Sequence, residues 1–269
     1  MKTSARAASA ARAEPSLLVR VKDGVATLTL NRPKQYNAIS TGMMAEFSDA
    51  LKRIAADRKV RVVVIAANGL AFSGGHDLRE MMANRNEEFI GALFDDCSNL
   101  MLQIQEMPQP VIARVQGIAT AAGCQLVAAC DMAVASTEAK FATSGINLGL
   151  FCATPGVPVS RNIPRKRAFE MLFTGEFIDA ETALAWGLVN RVARPERLDA
   201  EIAALVELIK EKPPAVCADG KHLFYDQIES TLANAYKIAS KAITLNMMGE
   251  DAGEGVGAFI EKRKPNWKK

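Results

Sequence analysis

The sequence has little charge imbalance and few aromatic residues, and these shortages exclude classes of function. Phe, Trp and Tyr make up 6% of the 269 residues, and 33 Lys and Arg stand against 30 Asp and Glu. The small positive excess lies mostly in residues 1–12 and 262–269. Since no continuous basic face is indicated, we do not expect the chain to bind nucleic acid.

Cysteine is also scarce, and its spacing does not indicate a disulfide framework or a metal site. The five cysteines form no CxxC pair, and neither of the two histidines is spaced with them as a zinc ligand would be. We therefore expect no metal, and reduced thiols in a cytosol-like compartment. The cysteines are Cys97, Cys124, Cys130, Cys152 and Cys217.

Long apolar runs are missing as well. The most apolar stretch, residues 115–130, contains two glutamines and two glycines and is followed by Asp131, so it is too polar and too short to span a membrane. Residues 1–15 hold Arg, Ala and Ser with no acid before Glu14, a composition that transit peptides share with bacterial leaders. We interpret them as a disordered leader of a cytoplasmic protein, with a mitochondrial transit peptide as the alternative.

The apolar content and the order of helix and strand patterns predict an α/β architecture. A chain of 269 residues, 49% of them apolar, is near the upper size for one hydrophobic core. It opens with two β-rich runs around Asp23-Gly24, a strong hairpin signal. Helix and strand patterns then alternate, which is typical of repeated strand-helix units. The further predicted strands before Pro164 are residues 61–67, 111–115 and 132–136.

After Pro164 the pattern is helical almost throughout. Pro213 and Pro214 should end one helix and start another. We therefore expect a core in residues 16–212 and a helical region in residues 213–269. One strand is predicted at residues 188–192, and helices at residues 165–173, 180–186, 196–212 and 214–248.

Two loops rich in glycine and alanine follow buried strands. Residues 70–78 read LAFSGGHDL, where Gly74 and Gly75 permit unusual dihedrals and Asp77 is a good helix N-cap. Residues 117–131 read GIATAAGCQLVAACD, with small residues at the start of a helix, a place that favours anions. Taken alone, the first loop is better explained by a tight turn and the second by close packing of a helix on a strand. Together they could bind one oxygen anion from two sides, as a thioester enolate requires.

Ordered motifs from about residue 17 to residue 267 identify a known family by resemblance. They are LNRP at 30–33 with NA at 37–38, FSGGHDL at 72–78, residues 117–131, FTG at 173–175 with Ala183, GLV at 187–189, EG at 254–255 with Phe259, and KRKP at 262–265. By these motifs the chain resembles the enoyl-CoA hydratase/isomerase family, also called the crotonase family.

The resemblance implies a fold, a ligand and an assembly. The fold would be an α/β spiral of strand-strand-helix turns with a C-terminal helical region. A bent CoA thioester would bind as the substrate between the two loops, with no permanently bound cofactor. Residues 213–269 would make the contacts of a homotrimer or of a dimer of trimers.

The resemblance also assigns site residues by position. The oxyanion-hole N–H groups fall on His76 and Ala122, through the backbone in both cases. The His76 imidazole would then be incidental, although a histidine beside an enolate could transfer a proton. Contacts to CoA fall at Ala71, Ser73, Phe259 and Lys262. Apart from the resemblance, Lys262 is typical of a solvated lysine in a basic tail.

The sequence departs from the family at the two catalytic acids. Typical hydratases have glutamate at the positions of Gln125 and Gly145, and the pair activates water and protonates the α-carbon. Glutamine can orient a water molecule but cannot act as a base, and glycine has no side chain. The acid that some isomerases carry in the loop after Gly149 is also missing. Ordinary hydration is therefore in doubt. The polar side chains expected near the pocket are His76, Gln125, Ser144, Cys152 and Thr154.

Three further interpretations concern single residues or the whole chain. Asp131 lies beyond the oxyanion loop and is expected to fix the following strand rather than to act as a base. Ser73 with His222 resembles a serine-hydrolase pair, but that serine should follow its strand directly, and residues 68–72 intervene. The last alternative is a non-catalytic protein that binds acyl-CoA or a partner, as the missing glutamates suggest.

Overall fold

The computed structural model describes residues 14–267 of the chain. Within them lie ten strands and eleven α-helices. The strands are β1 (Leu17–Lys22), β2 (Val25–Leu30), β3 (Val62–Ala67), β4 (Ala71–Ser73), β5 (Val111–Val115), β6 (Ile118–Thr120), β7 (Met132–Ser136), β8 (Lys140–Ala142), β9 (Ile178–Asp179) and β10 (Arg191–Ala193). The helices are α1 (Thr41–Ala56), α2 (Leu78–Ala83), α3 (Glu87–Glu106), α4 (Ala122–Ala129), α5 (Ala153–Asn162), α6 (Arg165–Thr174), α7 (Ala180–Trp186), α8 (Leu198–Lys210), α9 (Pro214–Ile228), α10 (Leu232–Met247) and α11 (Glu250–Ile260). The leader predicted for residues 1–15 lies mostly outside the described residues.

The strands form two sheets, in the orders β1-β2-β3-β5-β7-β10 and β4-β6-β8-β9. The hairpin of β1 and β2 is antiparallel, as Asp23-Gly24 predicted, and both turn residues have positive φ. From β2 to β10 the larger sheet is parallel. Along the chain, β4, β6 and β8 each follow directly after a strand of the larger sheet and precede a helix. The predicted spiral of strand-strand-helix turns with C-terminal helices is therefore present.

The larger sheet is covered on both faces, which explains the unbroken apolar run of β3. Val63 and Ile65 belong to the main core with α1 and α3, while Val62 and Val64 pack with the apolar residues of α8. Successive side chains of a strand point to opposite faces, so a strand between two helical layers is apolar throughout. No helix within residues 14–267 is both long enough and apolar enough to cross a membrane.

Two predicted elements have different bounds in the structure. The strand expected at residues 188–192 begins only at Arg191, because Gly187 (φ 87°) ends α7 and the Leu188 N–H still donates to the Ala183 carbonyl at 2.9 Å. The helix expected over residues 214–248 is two helices. The Ser230 hydroxyl donates to the Asp226 carbonyl at 3.0 Å, a bond that competes with helix continuation, and α10 starts at Leu232.

Asp131 fixes the start of the earlier strand β5 rather than the strand that follows it, β7, so that prediction is wrong. Its Oδ2 accepts the Val111 N–H at 2.6 Å, at the start of β5, and lies 2.8 Å from Lys221 Nζ. Its Oδ1 accepts the Tyr225 hydroxyl at 2.7 Å. Burial lowers the pKa of Lys221, and Asp131 opposes that shift. Since Lys221 and Tyr225 belong to α9, this buried ion pair attaches the first C-terminal helix to the core.

The first turn of α4 lies unusually close to β4. A Cβ atom on Gly123 would lie 2.3 Å from the Ser73 carbonyl oxygen and 2.7 Å from the Ser73 Cβ. A Cβ atom on Gly75, just beyond β4, would lie 2.9 Å from the Ala121 Cβ. Only residues without a side chain fit at these two positions, so glycine permits the contact between α4 and β4.

Gly123→Ala should therefore destabilise the protein, because its methyl group would overlap the carbonyl of Ser73. We expect a loss of about 1–3 kcal/mol in the free energy of unfolding, the usual cost of overpacking. Gly91→Ala is the matched control, since Gly91 lies in α3 with no atom within 4 Å of an added Cβ. It should gain about 0.5–1 kcal/mol through helix propensity. Thermal unfolding measures both, and a Gly123→Ala midpoint equal to that of Gly91→Ala would contradict the packing described.

Candidate functional site

The smaller sheet brings the two predicted loops together. Strands β4 and β6 are parallel neighbours, with Ala71 beside Ile118 and Ser73 beside Ala119. Their carboxyl ends therefore meet at one edge, where residues 74–77 and the start of α4 follow. A Cβ atom on Gly75 would lie 3.3 Å from the Ala122 nitrogen. The loop that carries His76 is thus in contact with the residue that begins α4.

The His76 N–H is left without an acceptor by a short parallel bridge. The Ile39 N–H donates to the Gly75 carbonyl at 2.7 Å, and the Asp77 N–H donates to the Ile39 carbonyl at 3.1 Å. In such a bridge the middle residue, His76, directs its own N–H away from the partner strand. Across residues 14–267 no acceptor lies within hydrogen-bond distance of this N–H.

The Ala122 N–H is free for a different reason. It belongs to the first turn of α4, where backbone N–H groups have no acceptor within the helix. Ala121 precedes it with φ 50° and ψ −121°, a backbone conformation that strains any residue except glycine. The Ala121 N–H itself donates to the Ala142 carbonyl at 3.0 Å. In the described part of the chain, the Ala122 N–H also has no acceptor.

Arg32, from the LNRP motif, holds the loop that carries His76. Its Nη1 donates to the Ala38 carbonyl at 2.7 Å, and its Nη2 donates to Asp77 Oδ2 at 2.8 Å. Asp77 in turn caps α2 by accepting the N–H groups of the first turn. Burial alone would raise the pKa of Asp77, but the bonds from Arg32 and from the helix lower it. The carboxylate therefore stays ionised and keeps the loop fixed.

Asn37, from the NA motif, fixes the strand before that loop. It is buried in a left-handed conformation (φ 52°), and its Nδ2 donates to the carbonyls of Asn68 and Ala71 at 2.8 and 2.9 Å. Its backbone carbonyl accepts the Ser73 hydroxyl at 3.0 Å. The NA motif thus has a direct structural role in positioning β4.

The structure does not bring Ser73 and His222 together as a hydrolase pair. The Ser73 hydroxyl is fully buried, donates to Asn37 and accepts the Gly75 N–H at 3.2 Å. His222 lies on α9 with its Nε2 at 2.9 Å from the Glu106 carbonyl. Since the side chains of Ala71 and Ser73 are both buried, contacts of β4 with CoA would have to use the backbone.

A cavity of about 590 Å³ lies beside His76 and Ala122. Its wall is mostly apolar and comes from α2, α3 and residues 144–155. Among the described residues, no Asp or Glu lines it. The apolar wall includes Met81, Met82, Ile90, Phe94, Leu148 and Phe151, and the polar side chains on it are His76, Arg85, Ser144, Cys152 and Thr154.

The positions of the two replaced glutamates differ in their access to this cavity. Gly145 lines it, and its N–H donates to Cys152 Sγ at 3.3 Å. Gln125 does not line the cavity: it is 2% exposed, and its Oε1 lies 3.8 Å from Cys97 Sγ on α3. The sequence placed Gln125 near the pocket, whereas the structure places it behind the wall. Burial raises the pKa of Cys152, so its thiol stays protonated.

Other residues of the site could be predicted only in part. The apolar wall from α2 and α3 was not predicted, although Ile90 and Phe94 are four residues apart and so share a helix face. The two C-terminal positions, Phe259 and Lys262, do not line the cavity, and Phe259 is 84% exposed at the end of α11. Within one chain the structure therefore does not bring them to the two free N–H groups.

The His76 imidazole has unusual surroundings. Both ring nitrogens are buried and have no hydrogen-bond partner in the described structure. The ring meets Phe94 edge to face, with centroids 5.4 Å apart and planes at 87°. Burial lowers the pKa of His76. The sequence predicted a backbone role for this residue, with proton transfer by the imidazole as the alternative, and gave no sign that the ring would be unpartnered.

Comparisons with known proteins agree with this architecture. The family model for enoyl-CoA hydratase/isomerase matches residues 20–269. The mitochondrial enoyl-CoA hydratase domain-containing protein 3 of Xenopus laevis is 44% identical over 253 residues, covering 94% of this chain and 86% of that one. A crystal structure of an enoyl-CoA hydratase of Mycobacterium smegmatis has 56% identity and a TM-score of 0.93, covering 94% of this chain and 99% of that one. A crystal structure of the human enoyl-CoA hydratase domain-containing protein 3 has 42% identity and a TM-score of 0.91, covering 94% of this chain and 100% of that one. The chain therefore belongs to the enoyl-CoA hydratase/isomerase family, as its motifs predicted.

Proposed function

We propose that the protein binds an acyl-CoA thioester with the carbonyl oxygen between the backbone N–H groups of His76 and Ala122, and stabilises the enolate formed from it. The observation that carries this proposal is the pair of unpartnered N–H groups on two loops in contact, beside a cavity. Preorganised donors of this kind lower the energy of a developing oxyanion. Removing one such donor typically costs about 10²- to 10³-fold in rate.

The mostly apolar cavity would hold the acyl group. Apolar walls strengthen the electrostatic effect of the N–H groups, because the effective dielectric constant is lower there than in water. The Mycobacterium smegmatis protein similar to this chain is named an enoyl-CoA hydratase, which supports an enoyl-CoA as the substrate and an enzyme of the lyase or isomerase class. The lack of carboxylates on the described wall favours weak hydration, and it also supports a second candidate, a non-catalytic acyl-CoA-binding protein.

The contact with the carbonyl oxygen can be tested without changing the protein. Butyryl-CoA has the thioester carbonyl, whereas S-butyl-CoA is the thioether without it. Two hydrogen bonds, each with a net value of about 0.5–1.5 kcal/mol, should make butyryl-CoA bind roughly 5- to 150-fold more tightly. Isothermal titration calorimetry of both ligands measures the ratio. Equal affinities would show that the oxygen does not lie between the two N–H groups.

Hydration of crotonyl-CoA should be slow compared with a two-glutamate enzyme. Each missing acid or base typically costs about 10²- to 10⁴-fold. The measurement is steady-state hydration by the unmodified protein, and a turnover number of roughly 10² per second or more, a rate typical of a competent enzyme, would refute the prediction.

Substituting glutamate at the two positions that lack it provides a second test of the hydration reaction. Gln125→Glu with Gly145→Glu should raise the rate more than either change alone, because such a pair acts as a unit. The carboxylate at position 125 must turn from Cys97 into the cavity to take part, since Gln125 lies behind the wall. A Cβ atom on Gly145 would lie 2.6 Å from the Leu150 carbonyl oxygen and 2.8 Å from Cys152 Sγ. The loop must therefore shift to admit glutamate, and thermal unfolding of each variant shows whether it does so without loss of the fold.

The C-terminal helices would assemble the chain into a homotrimer or a dimer of trimers. Large apolar side chains are exposed along α9 and α10, among them Phe224, Ile228, Leu232, Tyr236 and Ile243. Extended exposed apolar surfaces mark interfaces. Phe259 and Lys262 would then contact CoA bound to a neighbouring subunit, since they do not line the cavity of their own chain. Light scattering at micromolar protein should give a trimer or hexamer mass, and a monomer would contradict the assembly.

The protein would work in a reducing compartment, either the cytoplasm or the mitochondrial matrix. All five cysteines are free, four of them buried, which suits a reducing compartment. The relatives from Xenopus laevis and Homo sapiens are named as mitochondrial, which supports the transit-peptide alternative for residues 1–15. The relative from Mycobacterium smegmatis is bacterial, which supports the cytoplasm. Both compartments keep thiols reduced.

A further inference from the structure

The cavity wall offers one side chain that can accept a proton near neutral pH. Of the polar side chains that line it in the described structure, the guanidinium of Arg85 has no acceptor atom and the hydroxyls of Ser144 and Thr154 are not bases. Burial raises the pKa of the Cys152 thiol, which keeps it protonated. With no carboxylate on this wall, the imidazole of His76 remains.

The His76 ring is held in place but has no polar partner. Phe94 contacts it edge to face, and Phe94 itself lines the cavity. Neither ring nitrogen makes a hydrogen bond within residues 14–267. Leaving a buried polar group unpaired costs about 1–3 kcal/mol, so nearly all such groups are paired. An unpaired imidazole on the wall of a ligand cavity has a nitrogen lone pair that is free to react with a bound ligand.

Burial outweighs the nearby charge and favours the neutral form of the His76 ring. Burial is the main effect and lowers the pKa of His76, while the nearby Ile39 backbone and, to a lesser degree, the Glu80 carboxylate on α2 oppose it. That carboxylate is engaged by the N–H and hydroxyl of Thr41. The neighbouring Asp77 is paired with Arg32, and α3 presents the uncharged Phe94. A neutral imidazole can act as a base.

We propose that the His76 imidazole removes a proton from the α-carbon of the bound thioester and returns it. This inference rests on the proposed function, because the same residue's N–H would hold the carbonyl oxygen. The α-carbon is bonded to the carbonyl carbon, so it would lie within the reach of one side chain from that N–H. His76 would thus supply both an oxyanion donor and the base.

The step balances without a co-reactant. The α C–H bond breaks, the proton passes to a ring nitrogen, and the electron pair forms the enolate, with its negative oxygen between the N–H groups of His76 and Ala122. If the proton on the ring nitrogen is first replaced by a deuteron from D₂O, transfer of that deuteron to the α-carbon gives the exchanged thioester. With a 3-enoyl thioester, return to the γ-carbon moves the double bond into conjugation. Proton transfer needs this one base, whereas hydration also needs an activated water, so the inference agrees with slow hydration.

The test is solvent exchange of the α-protons of butyryl-CoA in D₂O, followed by proton NMR, together with conversion of trans-3-hexenoyl-CoA to the conjugated isomer, followed by ultraviolet absorbance. The variants are His76→Gln and His76→Ala, which both keep the backbone N–H. The matched control is His222→Gln, since His222 is the other histidine of the chain and is exposed on α9. Binding of butyryl-CoA is measured for all of them by calorimetry.

We expect both His76 variants to lose about 10²- to 10⁴-fold in both reactions, the usual contribution of a general base. Their affinity for butyryl-CoA should be unchanged, and His222→Gln should match the unmodified protein. With that protein the rates should rise with pH and level off above the lowered pKa of His76, a profile that a structural role would not produce.

Two results would overturn the inference. One is unchanged exchange and isomerisation in the His76 variants. The other is an unmodified protein that binds butyryl-CoA but exchanges its α-protons no faster than the free thioester does. In both cases the proposed binding mode would survive, because binding is measured separately. Failure of the unmodified protein to bind butyryl-CoA would instead overturn the proposed function together with the role of His76.

Discussion

The site depends on one close contact, the approach of the first turn of α4 to strand β4 and the loop beyond it. Gly123 touches the Ser73 backbone, and Gly75 touches Ala121, at distances that exclude a Cβ atom at either glycine. Because the two backbones approach so closely, a single atom could contact both His76 and Ala122. If α4 and β4 were farther apart, the N–H groups of His76 and Ala122 could not contact the same atom. Each would then be an ordinary free N–H group at a helix start or a strand end.

This contact is maintained at a cost to the folded state. Ala121 has a backbone conformation suited to glycine, and two N–H groups and one imidazole remain without partners in the described structure. Such features persist only where the surroundings fix them. Here Arg32 and Asn37 hold the loop and strand through several hydrogen bonds. Strain and unpaired donors at one place, with a rigid support behind them, are what a preorganised oxyanion site requires.

Much of the fold could be predicted from the sequence because its signals are local. Asp23-Gly24 predicted the hairpin, and the alternation of helix and strand patterns predicted the α/β order of the elements. Other elements had misleading signals. Pro155 and Pro158 do not suggest the helix α5 that contains them. Just beyond the end of α9, the Ser230 hydroxyl donates to the Asp226 carbonyl, a contact that the sequence does not announce.

The site was predictable where it uses the backbone and less so where it uses side chains. Glycine and alanine in the two loops, with the family resemblance, predicted which N–H groups would be free. All eight residues of α4 are buried, so its sequence has no polar face to show that Gln125 points toward α3. The partner of Asp131 lies 90 residues away on α9, at Lys221, which no local pattern indicates. The surroundings of the His76 ring depend on Phe94, from another helix.

The central claim is that the thioester oxygen lies between the N–H groups of His76 and Ala122, and its most direct test is the carbon-13 NMR spectrum of bound butyryl-CoA labelled at the carbonyl carbon. Two hydrogen bonds to the oxygen withdraw electron density from that carbon. The account predicts a downfield shift of its resonance on binding, relative to free butyryl-CoA in water. A bound resonance at the free position, or upfield of it, would contradict the account.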